Sequence, residues 1–195
     1  SCFSEHIATR LLDLKFNIYS NPFGIIFNPK SIFTSLHRII HKRYFKEEDL
    51  LEKEGVWYSF ESHSSVFSTS KNELIETLNH LIDLWNQELH KANYLFVTLG
   101  SAFAYEHKQQ EKIVANCHKL PQALFEKTLL ENHEIIVDFQ ELINDLKSTN
   151  PHLKWMFTVS PVKHLRDGVV ENNLSKAILI QSVHQLVKQN THCFY

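Results

Sequence analysis

Tyr94-Leu95-Phe96-Val97-Thr98-Leu99-Gly100 is a near-continuous apolar run closed by a glycine. A short run without polar alternation predicts a strand buried on both faces, the kind that parallel sheets contain. The flanking sequence agrees. Ser70 and Glu73 have capping-box spacing ahead of a long helix ending near Lys91, with Leu74, Leu78, Leu81, Ile82 and Trp85 on one stripe. On the other side, Ile135, Phe139, Leu142, Ile143 and Leu146 mark a helix stopped at Asn150-Pro151. Trp155 to Val159 then predicts a second buried strand ending at Ser160-Pro161. Asn172 to about Asn190 reads as helix, and Thr191 to Tyr195 begins another strand. Helices alternating with apolar strands predict an α/β fold with a mostly parallel sheet.

Nearer the start, Ser4 predicts a helix cap and a helix to about Leu14, with Ile7, Ala8, Leu11 and Leu12 on one face. Phe16 to Ser20 predicts a short strand, and Asn21-Pro22-Phe23-Gly24 a turn. Ser31 opens a second helix with Phe33, Leu36, Ile39 and Ile40 inward and His37, Arg38, Lys42 and Arg43 outward. Val56 to Phe60 reads as a strand and Ser62 to Ser70 as a loop. Nothing marks a repeat or an interdomain linker, so residues 1–195 read as one domain.

The chain has 195 residues, 20 basic and 22 acidic, a net charge of −2 and 43% hydrophobic residues, which is a soluble globular composition. A polybasic nucleic-acid binder and a disordered chain are disfavoured, and no apolar run approaches the roughly 18–20 residues that span a bilayer. Neither nucleic acid nor membrane is therefore expected as a partner. Cys2, Cys117 and Cys193 are far apart, with no CxxC pair and no disulfide framework. With no visible signal peptide, a reducing, cytoplasmic setting is expected. The histidines include no HExxH, and the His37/His41 pair has no evident third ligand, so neither metal nor cofactor is expected.

Open α/β sheets bind ligands at the carboxyl ends of their strands. That rule selects Asn21 to Asn28, Gly100 to Tyr105 and Ser160 to Asp167. Ser1 to Ser4 joins them if a strand precedes it. A nucleophile at a helix start gains from the positive end of the helix dipole, which makes Cys2 and Ser1 the nucleophile candidates. Serine is equally a common helix cap and cysteine a common inert core residue.

Ser1-Cys2-Phe3-Ser4-Glu5-His6-Ile7 resembles the opening of the GSCFA family, without its leading glycine. The resemblance continues through Asn21-Pro22-Phe23-Gly24, Phe27-Asn28-Pro29-Lys30-Ser31-Ile32, Trp57-Tyr58-Ser59 with His63-Ser64, and Thr98-Leu99-Gly100-Ser101-Ala102. It extends to Val114-Ala115-Asn116-Cys117-His118-Lys119 and to Thr158-Val159-Ser160-Pro161-Val162, then His164, Asp167-Gly168, Asn173 and Ser175-Lys176-Ala177. The family resembles SGNH/GDSL hydrolases, which implies a flavodoxin-like three-layer α/β/α sandwich, incomplete here at its termini. It also implies ester hydrolysis or acyl transfer on a small-molecule or carbohydrate acyl ester. In that wider group a serine attacks, a glycine and an asparagine donate to the oxyanion, and a late Asp-x-x-His block supplies orienter and base. Serine needs the base because its hydroxyl is a poor nucleophile at neutral pH, and one lost oxyanion donor costs about 3 kcal/mol.

This chain departs from that pattern. Cys2 matches the nucleophile and Ser1 the aspartate, with Ser1 the alternative by a one-residue shift. Gly24 matches the glycine donor and Gly100 the glycine of the third block, but Ala102 stands where asparagine is expected. Asn28, Ser101 and His63 complete the expected substrate-binding set, and Asn116 or His118 replaces the missing donor if their loop folds back. No aspartate precedes a histidine by three residues. The resemblance implies a chain beginning just after the first, central strand and stopping before the helix that carries the base. His164 with Asp167 is the candidate base within the chain, or the two only order their loop. A non-catalytic binding module is the competing reading, and Trp57, Tyr58 and Phe103 suit stacking on sugar rings in a carbohydrate deacetylase, or simply fill the core.

Overall fold

A computed structural model describes residues 2–163 and 168–195, and for Cys2 the backbone only. The apolar run forms β3 (Tyr94–Leu99), paired in parallel with β7 (Lys154–Val159) from Tyr94 opposite Lys154 to Leu99 opposite Val159. The short β8 (Cys193–Phe194) adds in parallel on the far edge of β7. Helix α4 (Asn132–Thr149) precedes β7, and α5 (Val169–Gln189) links β7 to β8. Both connections step the same way across the sheet, and right-handed crossovers therefore put both helices on one face. Phe139 of α4 meets Phe157 of β7 edge to face, 5.5 Å between ring centroids.

That arrangement corrects one sequence expectation: β3 is buried on one face only. Leu95, Val97 and Leu99 enter the core, whereas Tyr94 and Phe96 are 51% and 52% exposed. The same core takes Leu74, Leu78 and Ile82 from α3 (Lys71–Lys91), Leu36 and Ile39 from α2 (Pro29–Ile40), and Leu179, Val183 and Leu186 from α5. One face of the sheet thus carries the helical layer, and the apolar residues of the opposite face, Phe194 included, stay partly in water.

The expected parallel sheet is present in β3, β7 and β8, but it is not the only sheet. The fold is mixed α/β, with the parallel β3-β7-β8 sheet beside an antiparallel one in the order β5-β4-β6. Its strands are β4 (Phe103–His107), β5 (Lys112–Val114) and β6 (Phe125–Leu129). β1 (Leu50–Lys53) and β2 (Val56–Ser59) form a separate hairpin. Its two-residue turn, Glu54-Gly55, has φ of 54° and 78°, the left-handed pair that tight hairpins require. β4 to β6 carry Glu106, Lys112, Glu126 and Lys127 among their apolar residues, so no apolar run announces them.

Two local readings shift. Phe16 to Ser20 is not a strand; it is irregular, mostly exposed, and follows Lys15 at φ 67°. The second helix is opened by Asn28, whose Oδ1 accepts from Ser31 N–H at 2.8 Å with Pro29 in the first turn, rather than by Ser31. α1 (Cys2–Asp13) contributes one buried apolar residue among its described side chains, Ala8. Among the described residues no helix is long and apolar enough to cross a membrane.

Candidate functional site

The carboxyl end of β3 is gripped by a turn from far upstream. Gly100 and Ser101 both donate their N–H groups to Phe27 O, at 2.8 and 3.2 Å. A Cβ on Gly100 would lie 3.1 Å from that oxygen and 3.2 Å from Phe27 Cβ, so glycine permits the close approach. Gly24 sits at φ +79° and donates to Asn21 O at 2.9 Å; a Cβ there would stand 2.5 Å from His63 Cβ. His63 N–H donates to Phe23 O at 2.8 Å, closing the contact. Two glycines thereby bring together the blocks around residues 23–28, 63–65 and 100–101. Asn28, besides capping α2, places its Nδ2 3.5 Å from Val114 O, where the next block starts.

That block, Ala115 to Lys119, folds back onto the end of β2. Ala115 N–H donates to Phe60 O at 2.7 Å, and His118 Nε2 lies 2.7 Å from Ser59 O. A carbonyl only accepts, so the Nε2 carries the proton and Nδ1 is the acceptor. Nδ1 is buried with no hydrogen-bond partner among the described residues. His118 and Lys119 both adopt positive φ, 48° and 55°, and Lys53 Nζ holds both of their carbonyl oxygens at 3.1 Å. Asn116 Oδ1 accepts from His118 N–H at 2.8 Å. Burial pushes the His118 pKa down, opposed by the Ser59 hydrogen bond and reinforced by smaller contributions from His63 and Lys53. The ring is therefore neutral at pH 7, and its one N–H is already spent. His63 Nδ1 accepts from Ser65 N–H at 3.2 Å and lies 2.9 Å from Ser65 Oγ. Burial alone pushes the Cys117 thiol up, the opposite of an activated nucleophile.

Nothing local in the sequence marks Ser175 and Lys176 as site residues, although both lie in the Ser175-Lys176-Ala177 block. From the second turn of α5, Ser175 Oγ accepts from Ala102 N–H at 2.8 Å, and Lys176 Nζ donates to Gly100 O at 2.6 Å and to Ser160 O at 2.7 Å. Around the strand ends the backbone amides of Gly24, Gly100, Ser101 and Ala102 are all engaged within the protein.

Cys2 is the first residue of α1; its side chain, and Ser1, His164 and Asp167, lie outside the described residues. Tyr58 packs its ring 4.8 Å from that of His118, Trp57 lies against the core beneath Lys71, and Phe103 lies 4.0 Å from Lys127 Nζ. A cleft of about 380 Å³ opens beside α2 and β2, lined among others by Lys30, Asp49, Glu61 and Glu106. It reaches the His118 loop only through Ser59 and Phe60, and none of the expected site side chains lines it. Among the described residues no group of three or more His, Cys, Asp or Glu is placed to hold a metal. His41 instead bonds Asp145 at 3.0 Å and His37 lies 3.5 Å from Glu141, joining α2 to α4.

Comparison with known families places the chain plainly: it belongs to the GSCFA family, whose model matches residues 1–195. Neither a curated protein nor a solved structure matches it.

Proposed function

We propose that this chain is an acyl-ester hydrolase or acyltransferase built on a flavodoxin-like three-layer scaffold of the SGNH type, with Cys2 or Ser1 as nucleophile. The observation that carries this reading is the meeting of the Gly24, Asn28 and Gly100 blocks at the carboxyl end of β3, where parallel sheets bind ligands. The nucleophile attacks the acyl carbonyl and gives its proton to a base, which we assign to His164 oriented by Asp167. The tetrahedral intermediate collapses, the alcohol leaves with that proton, and water or a second alcohol releases the acyl group. Small-molecule or carbohydrate acyl esters are the substrate class, with Tyr58 beside His118 as a stacking surface. Cys117 and Cys193 are free thiols, which suits a reducing, cytoplasmic setting.

The test is hydrolysis of p-nitrophenyl acetate, and labelling by an acyl-directed fluorophosphonate, in the full-length protein. Either Cys2→Ala or Ser1→Ala is expected to abolish both signals. Turnover and labelling that survive each substitution would overturn the assignment.

One observation favours a second reading, a ligand-binding module without chemistry. Ala102 has no side-chain donor, and the amides around it are taken. A co-purified ligand with no turnover across an ester panel would select that reading.

A further inference from the structure

The carboxyl ends of β3 and β7 converge on one side chain. Lys176 Nζ donates to Gly100 O at 2.6 Å and to Ser160 O at 2.7 Å, the carbonyls that directly follow the two strands. Ser160 N–H in turn donates to Leu99 O at 2.8 Å, so the two strand ends are tied to each other and to the ammonium. An ammonium has three donors, and two carbonyls occupy two of them. Among the described residues no ion pair includes Lys176, and burial is what lowers its pKa. Among the described residues no carboxylate pairs with this half-buried cation at the end of the parallel sheet, and its two carbonyl partners leave it one N–H.

A second observation points to what that N–H meets. At the strand ends the backbone amides of Gly24, Gly100, Ser101 and Ala102 already donate inside the protein: Gly24 to Asn21, Gly100 and Ser101 to Phe27, and Ala102 to Ser175. Ala102 supplies no side-chain donor, and the N–H of the neutral His118 ring is spent on Ser59 O. Those four strand-end amides are thus committed, and the Lys176 ammonium keeps one N–H beyond its two carbonyl partners.

We propose that the Lys176 ammonium is the oxyanion donor of this site, its third N–H binding the carbonyl oxygen of the acyl ester. The inference rests on the acyl-transfer reading above. In the step, the nucleophile's sulfur or oxygen forms a bond to the carbonyl carbon, and the π electron pair moves onto the carbonyl oxygen. That oxygen becomes negative against Lys176, which stays protonated throughout. On collapse the pair returns, the C–O bond to the alcohol breaks, and the base gives the leaving oxygen the proton it took from the nucleophile. Gly100 O and Ser160 O hold the ammonium in place before the charge develops, so little reorganisation is required during the reaction.

The experiment measures kcat, KM and Tm with p-nitrophenyl acetate for wild type, Lys176→Gln, Lys176→Met and Lys176→Arg in the full-length protein. Gln keeps a donor for the two carbonyls without the charge, Met removes both, and Arg keeps both. Loss of one oxyanion donor typically lowers kcat by about 100-fold or more. The expected result is a loss of that size in the neutral variants that fold, KM within about threefold, and recovery of most of the loss in Lys176→Arg. Unchanged kcat in a folded neutral variant overturns this inference and leaves acyl transfer standing. An equal loss in Lys176→Arg, or failure of both neutral variants to fold, makes Lys176 a structural tie and also overturns it. Absence of turnover in the wild type overturns both readings.

Discussion

His118 has one ring nitrogen donating to Ser59 O and the other buried with no partner among the described residues, and its backbone is held in the left-handed region by Lys53. Charging this ring would force a proton onto Nδ1 in a site with no acceptor there. Burial accordingly pushes its pKa down. The unfolded imidazole titrates near about 6.5, and the folded one lower. Between those values the unfolded chain holds a proton that the native one does not, so stability falls as pH drops below about 6.5. His37 adds in the same direction, lowered by burial, His41 and Arg43 against the opposing pull of Glu141 and Asp145. Urea unfolding at pH 7.5 and pH 5.5 should show lower stability at the acid value. His118→Gln, which keeps a donor for Ser59 O, should reduce the difference. The sequence made His118 a candidate only on condition that its loop fold back. The loop does fold back, but its polar groups bind β2 and each other, a pairing of residues 59 apart that no local pattern encodes.

At the scale of an element, β3 shows how an apolar run misleads. The run correctly announces a parallel strand, but apolarity on both faces does not require burial of both. Val97 is 4% exposed and Phe96 52%, on adjacent positions of one strand. Val97→Ala should cost about 2 kcal/mol by chemical denaturation, from lost burial and the cavity left. Phe96→Thr, a larger chemical change, should stay within about 0.5 kcal/mol because its ring already faces water and threonine suits a strand. The long helix is legible for the opposite reason: its signals are local. Ser70 Oγ accepts from Glu73 N–H at 3.4 Å as its spacing implies, and the helix ends at Lys91. Only the returning arm differs, since Ser70 N–H donates to Ser68 Oγ, and Ser68 in turn to Glu73.

For the whole molecule, Arg38 ties the helical layer to the hairpin. Its guanidinium bonds Glu61 through Nε at 2.7 Å and Nη2 at 2.6 Å, reaches Asp49 at 3.4 Å, and lies 4.0 Å from the Phe45 ring centroid. The sequence places Arg38 on an outward, solvated face. The structure covers that face with the segments flanking β1 and β2, leaving Arg38 12% exposed and its partners only slightly more. Arg38→Ala strands two carboxylates away from water and should cost about 2 kcal/mol, read as a lower denaturant midpoint at unchanged slope. Glu48→Ala, which breaks the exposed Lys46–Glu48 pair, should change stability by less than about 0.5 kcal/mol. The sequence by itself determined what depends on neighbours along the chain: the helices, the two long parallel strands, the turn at Gly24 and the family blocks that name the candidate residues. Tertiary structure alone decided which face of β3 is buried, the pairing of the short charged strands β4 to β6, and the meeting of Gly100, Phe27 and Lys176. Apart from the short β4–β5 hairpin, these are set by hydrogen bonds and burial between residues tens of positions apart, and their energies exist only once the chain has closed on itself.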